Sequence, residues 1–352
     1  MNDKHQIGTS FFVVLLITMV VLLALIVSLF VIVTKNDLSN DDKSQINDQM
    51  TDTPNDTDYV SVAVDNSPIF VTQTSRDSYI IGQADDVVQI DDATITSQHT
   101  ILVKISSFES VAEKEADKVI YPASMTKVMT LIVACEAITD LNERLTVTED
   151  IAKLAEDNDG SGVGLKVGES YRVEDLLYLI SYQSDTIASH LIARYIAGSE
   201  EAFVDLMNNK ARELGLTNTN FANCTGLYND NNYTTCREMA SIMAYAMDNE
   251  MAYRCLSSYV GRPLTVGGVD CMFYSGWYSS RFSDNPKFTG GRIIAGKTGY
   301  TDESGYTLVS CAEINGEKYI NVIVTRTSKD SNVKVQEKPS ADQVKYIYKT
   351  YS

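Results

Sequence analysis

The order of apolar and polar positions divides the chain into three parts. A short polar stretch, residues 1–10, precedes FFVVLLITMVVLLALIVSLFVIVT at 11–34, which carries no charge. At about 1.5 Å per residue, that run makes a helix of about 36 Å, longer than a hydrocarbon core of about 30 Å. A cleaved signal peptide would have a shorter apolar region and a small-residue cleavage site after it. No A-x-A follows, so an uncleaved transmembrane anchor is expected. Lys4 and Lys35 flank it almost symmetrically and leave its orientation open. Residues 35–58 are polar and acidic, with seven Asp against one Lys in 36–58. Such a segment has too little to bury and is expected to be a disordered tether. From Tyr59 to Ser352 no Pro/Gly-rich linker interrupts the pattern, which predicts one folded unit.

Within that unit the periodicity is mixed. SYIIGQ (78–83) and TILVKISSF (100–108) read as strands. Met125, Val128, Met129, Leu131, Ile132 and Ala134 suit a buried helix. Residues 173–196 read as helical, with a polar break at Tyr182–Thr186. Ala202 to Leu214 is an amphipathic helix ended by Gly215, and Glu238 to Met247 is another. GYTLVSCAEI and YINVIVTRT, joined by NGEK, form the strongest hairpin signal in the chain. Residues 341–351 read as a closing helix. Strands at both ends around a helical middle predict a sheet bracketing an inserted helical region.

Composition narrows the function. The 47 acidic against 29 basic residues give a net charge of −18, a poor match for nucleic acid, whose phosphates require Lys and Arg. Three histidines, His5, His99 and His190, argue against a zinc enzyme built on several His ligands. Of six cysteines, Cys135 and Cys311 sit in apolar element interiors and read as free thiols. Cys224 with Cys236, and Cys255 with Cys271, each flank a loop; an exported domain permits either disulfide, and the connectivity stays open.

The candidate chemistry lies in three short segments. In Tyr121-Pro-Ala-Ser-Met-Thr-Lys127, Ser124 and Lys127 are three apart and share one face of a helix. A serine hydroxyl becomes a nucleophile when a base takes its proton, and a lysine with a lowered pKa can be that base. The apolar sequence after Lys127 implies a buried helix, so its ammonium is not simply solvated. Taken alone, S-x-x-K reads more readily as a helix cap beside a first-turn lysine. Ser184-Asp185-Thr186 follows about sixty residues on, at the helix break; a second hydroxyl there can pass protons to a leaving amine. Lys297-Thr298-Gly299 precedes the hairpin, where Lys297 and Thr298 can hold a carboxylate and Gly299 lets a substrate backbone approach.

Ser-x-x-Lys, Ser-Asp-x and Lys-Thr-Gly in this order form the motif set of penicillin-binding proteins and class A β-lactamases. The chain resembles the D-alanyl-D-alanine carboxypeptidases, the low-molecular-mass penicillin-binding serine peptidases, over roughly Tyr121 to Thr325. The likeness is close at YPASMTKVMT, at YIAGSEEAFVDLMNNKARELGLTNTNFAN, at YTTCREMA and at GKTGYTDESGYTL. Where the family tends to read SGN, Thr186 takes the place of the Asn. The family's second, all-β domain and its C-terminal amphipathic anchor are expected to be absent, the N-terminal helix replacing that anchor.

The resemblance implies an α/β (α+β) fold of the penicillin-recognising type, an antiparallel sheet flanked by helices with an all-helical lobe. It implies Ser124 as nucleophile, Lys127 as general base and Ser184 as proton relay. Thr186, Lys297, Thr298 and Gly299 would bind substrate, and the backbone N–H groups of Ser124 and Tyr300 would form the oxyanion hole. The expected substrate is a peptidoglycan stem peptide ending in D-Ala-D-Ala. β-Lactams would act as covalent inhibitors, no metal or cofactor is required, and the domain would face the cell-wall side of the membrane. A β-lactamase would need a carboxylate-activated water, and no E-x-x-L-N segment stands between the second and third motifs. A catalytically impaired wall-binding or sensor protein is the other alternative, with Thr186 as its only hint.

Overall fold

The hairpin that the sequence announces most clearly organises the sheet. Asn315 and Gly316 have φ of 51° and 83°, the positive pair that a two-residue turn needs to match strand twist. They join strands Gly305–Ile314 and Glu317–Val324, with Ile314 facing Glu317. The computed structural model describes residues 78–325 and 341–352, apart from 92, 158, 159, 260 and 284. The expected anchor (11–34) and tether (35–58) lie outside the described residues. Among the described residues, no helix is long and apolar enough to cross a membrane.

The main sheet has seven strands: β1 (Gly82–Gln89), β2 (His99–Lys104), β3 (Glu109–Lys114), β4 (Lys287–Phe288), β5 (Gly291–Thr301), β6 (Gly305–Ile314) and β7 (Glu317–Val324). Their order is β1-β3-β2-β7-β6-β5-β4. All neighbours are antiparallel except β1, which runs parallel to β3. The N-terminal strands thus meet the C-terminal ones where Ile320 faces Val103. The first strand begins at Gly82 rather than Ser78. The run at 100–108 turns after Lys104, with Phe108 at φ 59°, and returns as β3. Residues 100–108 look continuous in sequence because Ile105 and Phe108 of that turn are themselves apolar and pack on the core.

Period-two alternation gives the sheet two apolar faces. Ile320, Val322 and Val324 join one core, with Val309 and Cys311. Leu308, Ala312, Tyr319 and Ile323 point to the other, which α8 (Ala341–Tyr351) closes with Val344, Ile347 and Tyr348. The first face carries the helical region: α1 (Lys127–Ala137), α2 (Glu149–Asp157), α3 (Val173–Tyr182), α4 (Thr186–Ala197), α5 (Glu200–Glu213), α6 (Cys236–Asp248) and α7 (Glu250–Ser257). Nine residues of α1, Lys127 to Cys135, are buried, as befits a helix apolar on all sides. It is packed by α3, α4, α5, α6 and α7. The polar break falls between α3 and α4, at 183–185. All six cysteines are free thiols, so neither loop pair is bridged.

Candidate active site

Four segments converge where β5 meets the start of α1. Pro122 leads into a tight 3₁₀ turn, Ala123–Thr126, that runs directly into α1. Ser124 sits in this turn, half-buried, rather than on the α-helix itself. Lys127, the first residue of α1, is 1% exposed and places Nζ 3.3 Å from Ser124 Oγ. Its ammonium also donates to the Thr225 carbonyl. Burial lowers the Lys127 pKa to about 8, against the pull of Cys224 and Asp185. The three-residue spacing therefore brings together a hydroxyl and an amine that loses its proton near neutrality.

Ser184 lies in the middle of the helix break at φ 56°, a left-handed conformation that turns its hydroxyl toward β5. There Lys297 Nζ donates to Ser184 Oγ at 2.8 Å and to the Thr298 carbonyl at 2.9 Å. Lys297 is 2% exposed. Burial, and then the charge of Lys127, hold its pKa well below the usual lysine value. Thr298 faces Leu308 in the β5–β6 register and is half-buried. An added Cβ at Gly299 would stand 2.7 Å from Ser124 N and 2.5 Å from Thr307 Oγ1. Thr307 Oγ1 in turn donates to the Pro122 carbonyl at 3.1 Å. The space that Gly299 leaves is filled by the turn that carries Ser124, so this glycine docks the 3₁₀ turn onto the sheet. Tyr300, next along, is exposed and packs against Tyr306 with centroids 4.5 Å apart.

Thr186 opens α4 and is 1% exposed. Its N–H donates to the Ser161 carbonyl at 2.8 Å, its methyl lies over Gly160, and its Oγ1 is buried without a hydrogen-bond partner. Sequence reasoning gave the middle residue of this motif no role, yet it is the best anchored. Asp185 caps α4 by accepting from Ala188 N at 2.8 Å and reaches across to Val163 N, also at 2.8 Å. Ser161 Oγ donates to the Ser184 carbonyl at 2.9 Å. A Cβ at Gly162 would come within 2.5 Å of the Asp185 carboxylate. The 160–163 segment is thus strapped to the Ser184 turn.

The other missed segment is Asn223-Cys-Thr-Gly226. Asn223 Oδ1 accepts from Gly226 N at 2.7 Å and Thr225 N at 3.2 Å, and Asn223 Nδ2 donates to the Leu227 carbonyl at 2.9 Å. This Asx-type turn aims the Thr225 carbonyl at Lys127. Gly226, at φ 79°, has room for no Cβ, which would lie 2.0 Å from the Ala123 carbonyl oxygen. The Asn-x-x-Gly spacing was the one signal that could have found it.

A family model described as D-alanyl-D-alanine carboxypeptidase matches residues 86–328. The chain belongs to that family. A D-alanyl-D-alanine carboxypeptidase of Bacillus subtilis, DacF, is 31% identical over 246 residues, which cover 68% of this chain and 60% of DacF. DacA of Escherichia coli is 31% identical over 242 residues, 65% of this chain and 56% of DacA. The chain thus spans somewhat over half the length of these curated relatives. Among solved structures, a serine-to-alanine mutant of the Streptomyces K15 DD-transpeptidase superposes with a TM-score of 0.60 at 25% identity, covering 67% of this chain and 93% of that one. Penicillin-binding protein 5 of Haemophilus influenzae gives 0.59 at 26% identity, covering 68% of each chain. The mixed α/β fold of the penicillin-binding DD-peptidases is therefore the fold of this chain.

Proposed function

We propose that the chain is a serine-type D-alanyl-D-alanine carboxypeptidase that removes the terminal D-Ala of peptidoglycan stem peptides and is acylated by β-lactams. One observation carries this reading: a fully buried lysine whose pKa is about 8 stands 3.3 Å from the Ser124 hydroxyl. A solvated cap lysine would have neither property. Family membership supplies the substrate class.

In the proposed reaction Ser124 Oγ attacks the carbonyl carbon of the penultimate D-Ala while its proton passes to neutral Lys127 Nζ. The backbone N–H groups of Ser124 and Tyr300 receive the oxyanion. The C–N bond breaks as the proton moves from Lys127 through Ser184 to the departing amine. Lys297 and Thr298 hold the terminal carboxylate, and an arriving anion restores the charge that burial opposes on Lys297. Thr186 Oγ1, left unpaired by the protein, is assigned to a substrate amide. Water then attacks the ester, giving its proton to Lys127; the shortened peptide leaves as a carboxylic acid and Ser124 regains its hydroxyl. A stem-peptide substrate places the enzyme outside the cytoplasmic membrane, with 11–34 as a single-pass anchor and 35–58 as its tether.

The test is release of D-Ala from a D-Ala-D-Ala peptide, alongside covalent labelling by a fluorescent penicillin. Wild type should do both, and Ser124→Ala neither. A covalent band that persists in Ser124→Ala would sink the assignment. Rapid turnover of the penicillin, with no stable adduct, would point to a β-lactamase instead.

A further inference from the structure

Beside Lys127, three side chains of unlike chemistry converge. α4 supplies His190, 5% exposed; the first turn of α5 supplies Glu200; and the 223–226 turn supplies Cys224, fully buried. His190 Nδ1 lies 3.7 Å from Cys224 Sγ and 3.5 Å from Glu200 Oε2. The three ligand atoms all fall within 4.8 Å of one another, and no other such group of His, Cys, Asp and Glu occurs among the described residues. A tetrahedral zinc ion, with Zn–S about 2.3 Å and Zn–N or Zn–O about 2.0–2.2 Å, sets its ligand atoms about 3.3–3.6 Å apart. The His190–Cys224 and His190–Glu200 separations lie within about 0.2 Å of that range.

We infer that His190, Glu200 and Cys224 form a binding site for one thiophilic divalent cation of the zinc type. The mixed donor set selects the metal: carboxylate and imidazole suit several ions, and the thiolate favours zinc over calcium or magnesium. Binding releases the Cys224 thiol proton to solvent, so thiolate and carboxylate together balance the two positive charges. The scaffold is held independently of any ion. Ser199 caps α5 through Ala202 N at 3.2 Å, Cys224 N donates to Glu200 Oε1 at 3.0 Å, and Thr130 Oγ1 donates to the Cys224 carbonyl at 2.7 Å. The residue after Cys224 is Thr225, whose carbonyl takes Lys127. An ion here would pin the turn that holds the base. The scarcity of histidine that argues against a multi-histidine zinc enzyme leaves a site with a single His open.

Cobalt and zinc ions alone are the probes. The full chain, kept in detergent and stripped with a chelator, is titrated with Co²⁺ and then Zn²⁺. One equivalent of Co²⁺ should bring a thiolate-to-cobalt charge-transfer band and tetrahedral d–d bands, all displaced by Zn²⁺. Zn²⁺ should also raise the melting temperature. Cys224→Ser should abolish the charge-transfer band. His190→Gln and Glu200→Gln should keep it and bind at least about 100-fold more weakly, beyond the loss typical of an outer-shell change. Absence of the band in wild type means a purely hydrogen-bonded cluster and overturns the site. So does a band that survives Cys224→Ser. If Cys224→Ser fails to fold, the two Gln variants decide: Co²⁺ affinities within about tenfold of wild type reject the site.

Discussion

In the proposed reaction Lys127 is the residue on which the chemistry turns, and its burial gives that reaction a pH signature. Its folded pKa, about 8, lies below the ordinary 10.5, so the fraction of neutral amine rises as pH climbs through about 8. Acylation by a fluorescent penicillin should accelerate from about pH 6 to about pH 9 and then level. A flat profile across that window would remove Lys127 from the role of base. The linked stability runs the same way. Between about 8 and 10.5 the unfolded chain binds a proton that the folded chain does not, so this lysine's cost to stability is full below about 8 and fades toward 10.5. Lys127→Arg, which keeps the charge but cannot deprotonate at usable pH, should leave no measurable acylation. Thr186 gives a finer test at the same scale. Thr186→Val removes the unpaired buried hydroxyl and keeps the shape. If that hydroxyl meets substrate, kcat/KM on the D-Ala-D-Ala peptide should fall by about 2- to 12-fold, equivalent to about 0.5–1.5 kcal/mol, while Tm does not fall. Unchanged turnover would make Thr186 purely structural.

At the scale of elements, the site depends on two turns that hold Ser184 and Lys127, the side chains proposed to act on substrate, from behind. Asp185 serves α4 as N-cap and the 160–163 segment as acceptor, so Asp185→Ala removes both supports at once. The expected loss is about 1–3 kcal/mol in denaturant unfolding, with D-Ala release reduced because Ser184 loses its fixed turn. Asp185→Asn, which retains one acceptor oxygen, should fall between. Equal stability of Asp185→Ala and wild type would mean that the strap contributes nothing. These turns also mark where sequence reading stopped. The Asn315-Gly316 hairpin, α8 and the break between α3 and α4 were legible because each has a local cause: a positive-φ pair, an amphipathic face, a cluster of polar residues. So were Ser124, Lys127, Ser184 and Lys297, as residue types at recognisable spacings. The roles of Asp185, Ser161, Thr225 and Gly226 were not, since each depends on a partner about 20 to 100 residues away in the chain. The return of the chain as β3 was hidden by a turn built from core-forming residues.

For the whole molecule, the family match covers 86–328, and every element that bears the site lies inside it. Removing residues 1–58 should therefore leave penicillin labelling unchanged while releasing the protein from membranes on fractionation. Loss of labelling in the shortened chain, with the full chain in detergent still active, would mean that the N-terminal segment packs on the catalytic unit. The seam between β2 and β7 has a consequence for biogenesis. Thr100 Oγ1 donates to the Val322 carbonyl, a contact between residues 222 apart in sequence. The sheet cannot close until both ends of this long span have been synthesised, and bringing such distant strands together is the slow step in folding by topology. Lys297 and its neighbours on β5 have a finished sheet beneath them only after β7 docks. A nascent or partly translocated chain is thus inert, silent until its last strand arrives. Chains stalled on the ribosome before Glu317 should take up no fluorescent penicillin, and release of the full-length chain should restore labelling with a lag set by folding.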